Sequence, residues 1–276
     1  MSCEVLARDG TKLCVEVHGD GPTLVLSCGW CTTRENFRPQ VAPLVAAGMR
    51  VVLFDYRGHG QSDVPADESS YTMPILIEDL ASVLDHAAPG EPAVVGGLSF
   101  GGLLSLHFAL ARPERVRALV LIDSGPGFKN PDAAARWMAQ VERVSSRLEE
   151  RGMEALLTGR AVETSVGRRP ELASTQAAAR AIAAQDPRGL ARFGRHAAGP
   201  APSVIDELPQ IGVPALVVVG AEDDAYLRAA EVLSAKLPRA THVVIPGAGH
   251  IVNIEQAEAF NAAVIDFLRK IGVAKR

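Results

Sequence analysis

The stretch that most constrains this chain is Gly97-Leu98-Ser99-Phe100-Gly101, which lies between a short apolar run and a longer one. Ala93-Val94-Val95 reads as a buried strand, and Leu103 to Ala111 carries the apolar excess of a buried helix. Strand, then G-x-S-x-G, then helix is the context that gives the pentapeptide its meaning. A turn this sharp drives the serine to positive φ and brings the strand and helix backbones too close for a Cβ two residues to either side. Gly97 and Gly101 fill those two places. The Ser99 hydroxyl is then held out of the sheet at a helix N-terminus, where N–H groups and the helix dipole favour negative charge. That geometry suits a nucleophile. A serine that merely caps its helix fits the same turn, so the rest of the chain has to decide.

The flanking sequence alternates strands with helices. Strands are expected at 3–8, 12–18, 23–26, 50–54, 93–95, 117–122, 214–220 and 241–245, and helices at 37–47, 74–86, 103–111, 226–237 and 254–271. Asp9-Gly10 predicts a two-residue hairpin between the first two strands. Alternation of this kind builds βαβ units, hence an α/β fold with a mostly parallel central sheet flanked by helices. It stops near Gly125 and resumes near Val213, and the 276-residue length allows one large domain with an insertion. Four helical pieces are expected there, at about 132–151, 153–163, 170–185 and 188–198. The division is therefore a core of 1–124 and 213–276 with a helical cap, or lid, at 125–212 over the sheet's C-terminal edge. A helical domain unrelated to any site is the other reading of that insertion.

Three side chains stand at the ends of parallel strands: Ser99, Asp223 or a near neighbour, and His250. A serine hydroxyl needs a histidine to take its proton, and that histidine needs a carboxylate to fix its tautomer and stabilise its cation. Nucleophile, acid and base thus appear in chain order. Taken singly, Asp223 could cap the following helix and His250 could serve a loop. Asp123, at another strand exit, competes with Asp223 for the acid. His18, His59 and His107 read as structural.

These residues resemble the α/β-hydrolase fold over essentially the whole chain: Gly97-x-Ser99-x-Gly101, Gly220-x-x-Asp223, Gly247-x-Gly249-His250, and the further signature Asp55-x-Arg57-Gly58-x-Gly60-x-Ser62. The resemblance implies a serine hydrolase, esterase- or lactonase-like, with a helical cap. It also implies an oxyanion hole made by the backbone N–H groups of Phe100 and Trp30. The family usually has His-Gly where this chain has Cys28-Gly29, so the packing of that loop differs here.

The same departure creates Cys28-Gly29-Trp30-Cys31, a C-x-x-C that alone would point to redox chemistry. A bridge across it would re-aim the Trp30 amide, so sensitivity to thiol oxidants is expected. The four cysteines all lie within the first 31 residues, which argues against a disulfide framework.

The formal net charge of −4 offers no footprint for nucleic acid or anionic membranes, and the N-terminus lacks a signal-peptide pattern. A cytoplasmic enzyme is expected, with no cofactor and no metal site. Its substrate is expected to be a small, partly apolar ester or lactone, in a pocket to which Trp137, Met138 and Phe193 contribute. A carbon–carbon bond hydrolase, a cofactor-free haloperoxidase or perhydrolase, and a small-molecule receptor that keeps its triad are the alternatives. Serine as nucleophile argues against haloalkane dehalogenases and epoxide hydrolases, whose attack on alkyl carbon uses a carboxylate.

Overall fold

Eight apolar segments pair into one sheet in a computed structural model that describes residues 2–159 and 161–275. They are β1 (Ser2–Leu6), β2 (Lys12–His18), β3 (Thr23–Ser27), β4 (Arg50–Phe54), β5 (Ala93–Leu98), β6 (Val116–Ile122), β7 (Ala215–Gly220) and β8 (Ala240–Ile245). The order is β1-β2-β4-β3-β5-β6-β7-β8. β2 runs antiparallel to both neighbours, and β3 to β8 are parallel. β3, β5 and β7 are buried along their whole length, which is why they read as unbroken apolar runs rather than alternating ones.

Period-two alternation sorts the strand side chains between two cores. Val25, Val52, Phe54 and Val95 face Leu80 and Leu84 of α2 (Met73–Ala87) and Leu104 and Phe108 of α3 (Phe100–Ala111). Leu24, Leu26, Val51 and Val94 face Leu44 of α1 (Arg38–Ala46) and, near the C-terminus, Phe260, Val264 and Leu268. Helices therefore cover both faces and leave the C-terminal ends of the strands for loops.

Between β6 and β7 the described chain runs through α4 (Pro131–Arg151), α5 (Glu154–Leu157), α6 (Ala161–Ser165), α7 (Ala173–Ala183) and α8 (Pro187–Phe193). Val141, Ser145 and Leu148 form the buried stripe of α4, at spacings of a helical turn. After β7 come α9 (Asp224–Lys236), then α10 (Val252–Glu255) and α11 (Ala257–Lys270) after β8. Among the described residues no helix is long and apolar enough to cross a membrane.

Several boundaries differ from expectation for local reasons. β1 ends at Leu6, so the first hairpin is wider than two residues, and Asp9 turns inward to the buried Arg57 at 2.7 Å. The expected helix at 254–271 is two helices, broken at Gln256 (φ −132°, ψ 54°), whose side-chain amide donates to the Gly247 carbonyl at 3.1 Å. The expected piece at 153–163 is split because Thr158 is extended. α8 runs into a π-helical turn, Gly194–Ala198, closed by Gly199 N–H donating to the Gly194 carbonyl at 2.8 Å.

A Cβ on Gly97 would lie 2.6 Å from the Ser27 carbonyl oxygen and 2.6 Å from the Gly101 carbonyl carbon, all of it backbone that cannot give way. Gly97→Ala is expected to destabilise the fold by about 1–3 kcal/mol through overpacking. Gly212→Ala, where nothing lies within 4 Å, should stay within about 0.5 kcal/mol. Urea unfolding midpoints of the two variants measure the contrast.

Candidate active site

The turn between β5 and α3 has the expected strain: Ser99 sits at φ 53°, ψ −113°. Its N–H donates to the Ile122 carbonyl at 2.8 Å, and its own carbonyl accepts from Ser124 Oγ at 2.7 Å, so both flanks of the turn are held by the end of β6 and the residues just past it. Only three described non-glycine residues have positive φ: Cys31, Ser99 and Asp123, all on strand exits at this edge of the sheet. Strain of this kind collects where the surrounding structure over-determines a functional turn.

The loop after β7 delivers Asp223, and the loop after β8 delivers His250. His250 Nδ1 donates to Asp223 Oδ2 at 2.7 Å, with both side chains buried. That bond leaves Nε2 as the free ring nitrogen. Asp123 is placed otherwise: its carboxylate accepts from the Gly220 N–H at 2.8 Å and the Val252 N–H at 3.2 Å. Burial, reinforced by the nearby Asp223, pushes its pKa well up. Asp123 thus braces the two loops that carry Asp223 and His250, while Asp223 makes the contact with the histidine.

Ser99 Oγ makes its hydrogen bond to the hydroxyl of Tyr226, at 3.3 Å, rather than to His250. Tyr226 lies in the first turn of α9, and its ring stacks on His250 with centroids 4.7 Å apart and planes at 30°. Nothing in the sequence marks it apart from its place three residues after Asp223.

The Trp30 and Phe100 N–H groups find no acceptor among the described residues, so both are free to donate to a ligand. The Trp30 loop is held from several sides. Cys31 N–H donates to His59 Nε2 at 3.2 Å, and Tyr56 OH donates to the Cys28 carbonyl at 2.9 Å. From just past α7, Gln185 donates to the Cys31 carbonyl at 3.0 Å and accepts from the Gly60 N–H at 2.9 Å. The Trp30 indole N–H donates to the Leu190 carbonyl at 2.9 Å and its ring packs on the bare backbone of Gly194. Gln185 is a second residue the sequence did not single out.

The segment between α6 and α7 also reaches the loops that carry Asp223 and His250. Arg168 pairs with Glu222 at 2.6 Å and donates its backbone N–H to Glu255, whose other oxygen accepts from the Gly249 N–H at 2.9 Å. Phe193 does not line a pocket as expected. It is fully buried, with its centroid 5.3 Å from that of Tyr56, 4.5 Å from that of His59 and 5.0 Å from that of Phe100. Met138 is half exposed, and Trp137 packs edge-on against Trp30 at 6.3 Å. A separate cavity of about 380 Å³, lined by Leu157, Val162, Val166 and Ala179 among others, does not include Ser99 or His250.

Cys28 and Cys31 are free thiols, 0% and 4% exposed, and burial pushes both pKa values up. Thiols held protonated and away from solvent are poor nucleophiles, which argues against a redox site at this C-x-x-C. Among the described residues no three His, Cys, Asp or Glu side chains gather as metal ligands.

With this geometry in view, a family model described as the alpha/beta hydrolase fold matches residues 22–257, and the chain belongs to that family. It is 32% identical over 285 residues to a 2-hydroxy-6-oxononadienedioate/2-hydroxy-6-oxononatrienedioate hydrolase of Cupriavidus pinatubonensis, covering 94% of this chain and 87% of that one. Among solved structures, the enol-lactonase from Burkholderia xenovorans LB400 superposes with a TM-score of 0.82 at 28% identity, covering 97% of this chain and all of that one. A thermophilic esterase from Thermogutta terrifontis superposes with a TM-score of 0.83 at 27% identity, covering 98% and 99%. The chain is a hydrolase of that family.

His59 gives the site a pH signature. Burial lowers its pKa from 6.5 to about 3. Between those values the unfolded chain binds a proton that the native protein does not, so His59 makes stability fall as pH drops below 6.5. His59→Gln keeps an acceptor for the Cys31 N–H and removes the titration. Its urea midpoint should fall less steeply than the parent's between pH 6.5 and about 5.

Proposed function

We propose that this protein is a serine hydrolase that cleaves a carboxylic ester or lactone of a small molecule through an acyl-enzyme. The observation that carries this reading is the His250–Asp223 hydrogen bond at 2.7 Å beside a strained serine turn with two unclaimed backbone N–H groups. Ser99 Oγ attacks the acyl carbon as its proton passes to His250 Nε2. Asp223 holds the Nδ1–H tautomer and stabilises the imidazolium. The negative charge on the former carbonyl oxygen is met by the N–H groups of Trp30 and Phe100, each typically worth about 10²–10³ in rate. His250 then returns the proton to the leaving oxygen, and water repeats the sequence to free the acid. The inserted helices serve as a cap over the ends of the strands, anchored through Phe193, Trp30 and Arg168.

Similarity to the 2-hydroxy-6-oxononadienedioate hydrolases favours a second reading, hydrolysis of a carbon–carbon bond beside a carbonyl in a vinylogous diketone. A turnover panel of aryl esters of varied acyl length, lactones and vinylogous diketones separates the two. Ser99→Ala should abolish turnover and labelling by a serine-directed phosphonate while the protein stays folded, and full activity in that variant refutes the proposal. Asp223→Asn should lower kcat by about 10⁴-fold, as expected when the histidine loses its orienting carboxylate. Asp123→Asn should chiefly cost stability, because an amide nitrogen would face N–H donors, and the exposed Asp224→Asn should be mild. A larger loss of kcat in either of those two reassigns the acid.

A further inference from the structure

Tyr226 is tied to the site by two independent contacts. Its hydroxyl lies 3.3 Å from Ser99 Oγ, and its ring stacks on His250. The N–H of Tyr226 donates to the Asp223 carbonyl at 2.9 Å, so the residue that carries the proposed acid also fixes the start of the tyrosine's helix. Burial pushes the phenol pKa up, so the hydroxyl keeps its proton at any working pH and is available as a neutral donor.

The position of that donor has a consequence for the reaction proposed above, on which this inference rests. After Ser99 attacks, the acyl carbon carries an oxyanion, an acyl chain and a leaving group. The oxyanion belongs to the Trp30 and Phe100 N–H groups. The leaving atom must point towards His250, because it takes its proton from Nε2. Tyr226 spans that side of the nucleophile, since one part of it touches Ser99 and another covers the imidazole.

We infer that Tyr226 is a specificity-determining residue: its hydroxyl passes from Ser99 Oγ to the leaving atom of the substrate and selects leaving oxygen over leaving sulfur. The covalent steps do not consume it. The Oγ–carbon bond forms as the Ser99 proton goes to His250 Nε2; the carbon–oxygen bond breaks as that proton goes to the leaving oxygen; Tyr226 retains its own proton throughout. An ester or lactone oxygen accepts a hydrogen bond well, whereas the sulfur of a thioester is a weak acceptor. The benefit is thus confined to oxygen leaving groups.

The test compares an oxygen ester and a thioester of the same acyl group, read as kcat/KM on the parent, Tyr226→Phe and Ser99→Ala. This parameter reports steps through acylation, so the shared acyl-enzyme and its hydrolysis do not blur the comparison. Phenylalanine keeps the ring that stacks on His250 and removes only the hydroxyl. Tyr226→Phe should lower kcat/KM on the oxygen ester by about 10- to 100-fold, the loss of one hydrogen bond to developing charge. On the thioester it should change by less than about threefold. An equal fall on both substrates, or a fall on neither, overturns the inference and leaves the hydrolase intact. Activity surviving in Ser99→Ala overturns the acyl-enzyme reading instead, so the two failures are distinguishable.

Discussion

The site depends on one steric fact: the Ser27 carbonyl at the end of β3 lies against the backbone of the serine turn. A Cβ on Gly97 would come 2.6 Å from that oxygen, and one on Gly101 would collide with it and approach the Cys28 carbonyl to 2.8 Å. The end of β3 leads directly into the Trp30 loop, and Gly101 directly follows Phe100. Contact between bare backbones therefore sets the distance between the two free N–H donors. Donors fixed in this way need no reorganisation when charge develops, which is what gives a preorganised oxyanion site its effect.

The loops around that contact are fastened by buried charge. Asp55, at the end of β4, accepts from the backbone and side chain of Arg34 and from the Gln61 N–H. Arg57, 1% exposed, grips both oxygens of Asp79 at 2.7 and 2.6 Å and reaches Asp9. Two-pronged guanidinium–carboxylate pairing fixes direction as well as position. Such pairs add little stability over apolar packing, but removing one partner strands a buried charge. Their effect here is directional: the Asp55 loop presents His59, His59 holds the Cys31 N–H, and the Trp30 amide beside it keeps its aim.

The succession of strands and the three strand-exit residues were legible because each depends on local chemistry. Unbroken apolar runs mark buried parallel strands, and glycine at 97 and 101 marks a turn with no room for Cβ. The choice of Asp223 over Asp123 could be argued from spacing, but only the fold shows why Asp123 is not at the histidine: the Gly220 and Val252 N–H groups occupy it. Tyr226 and Gln185 were invisible because their contacts come from tertiary approach, and each looks like an ordinary helix residue in sequence. Phe193 was misjudged for the converse reason. Its aromatic bulk suited a pocket wall, yet Tyr56, His59 and Phe100 form a cage around it from segments far apart in the chain. The break at Gln256 was missed because periodicity encodes neither its non-helical backbone nor the side-chain bond to the Gly247 carbonyl that accompanies it.

The π-helical turn at Gly194 bears on how this protein can be rebuilt. The missing Cβ at Gly194 leaves room for the Trp30 indole, so the inserted helices and the Trp30 loop share one interlocking joint. Exchange of that insertion with a relative's is therefore not a modular operation. A chimera that brings an alanine to position 194 would meet the Trp30 ring and press on the loop beside Ser99. The grafting boundary that preserves the machinery is set by this joint rather than by the ends of β6 and β7.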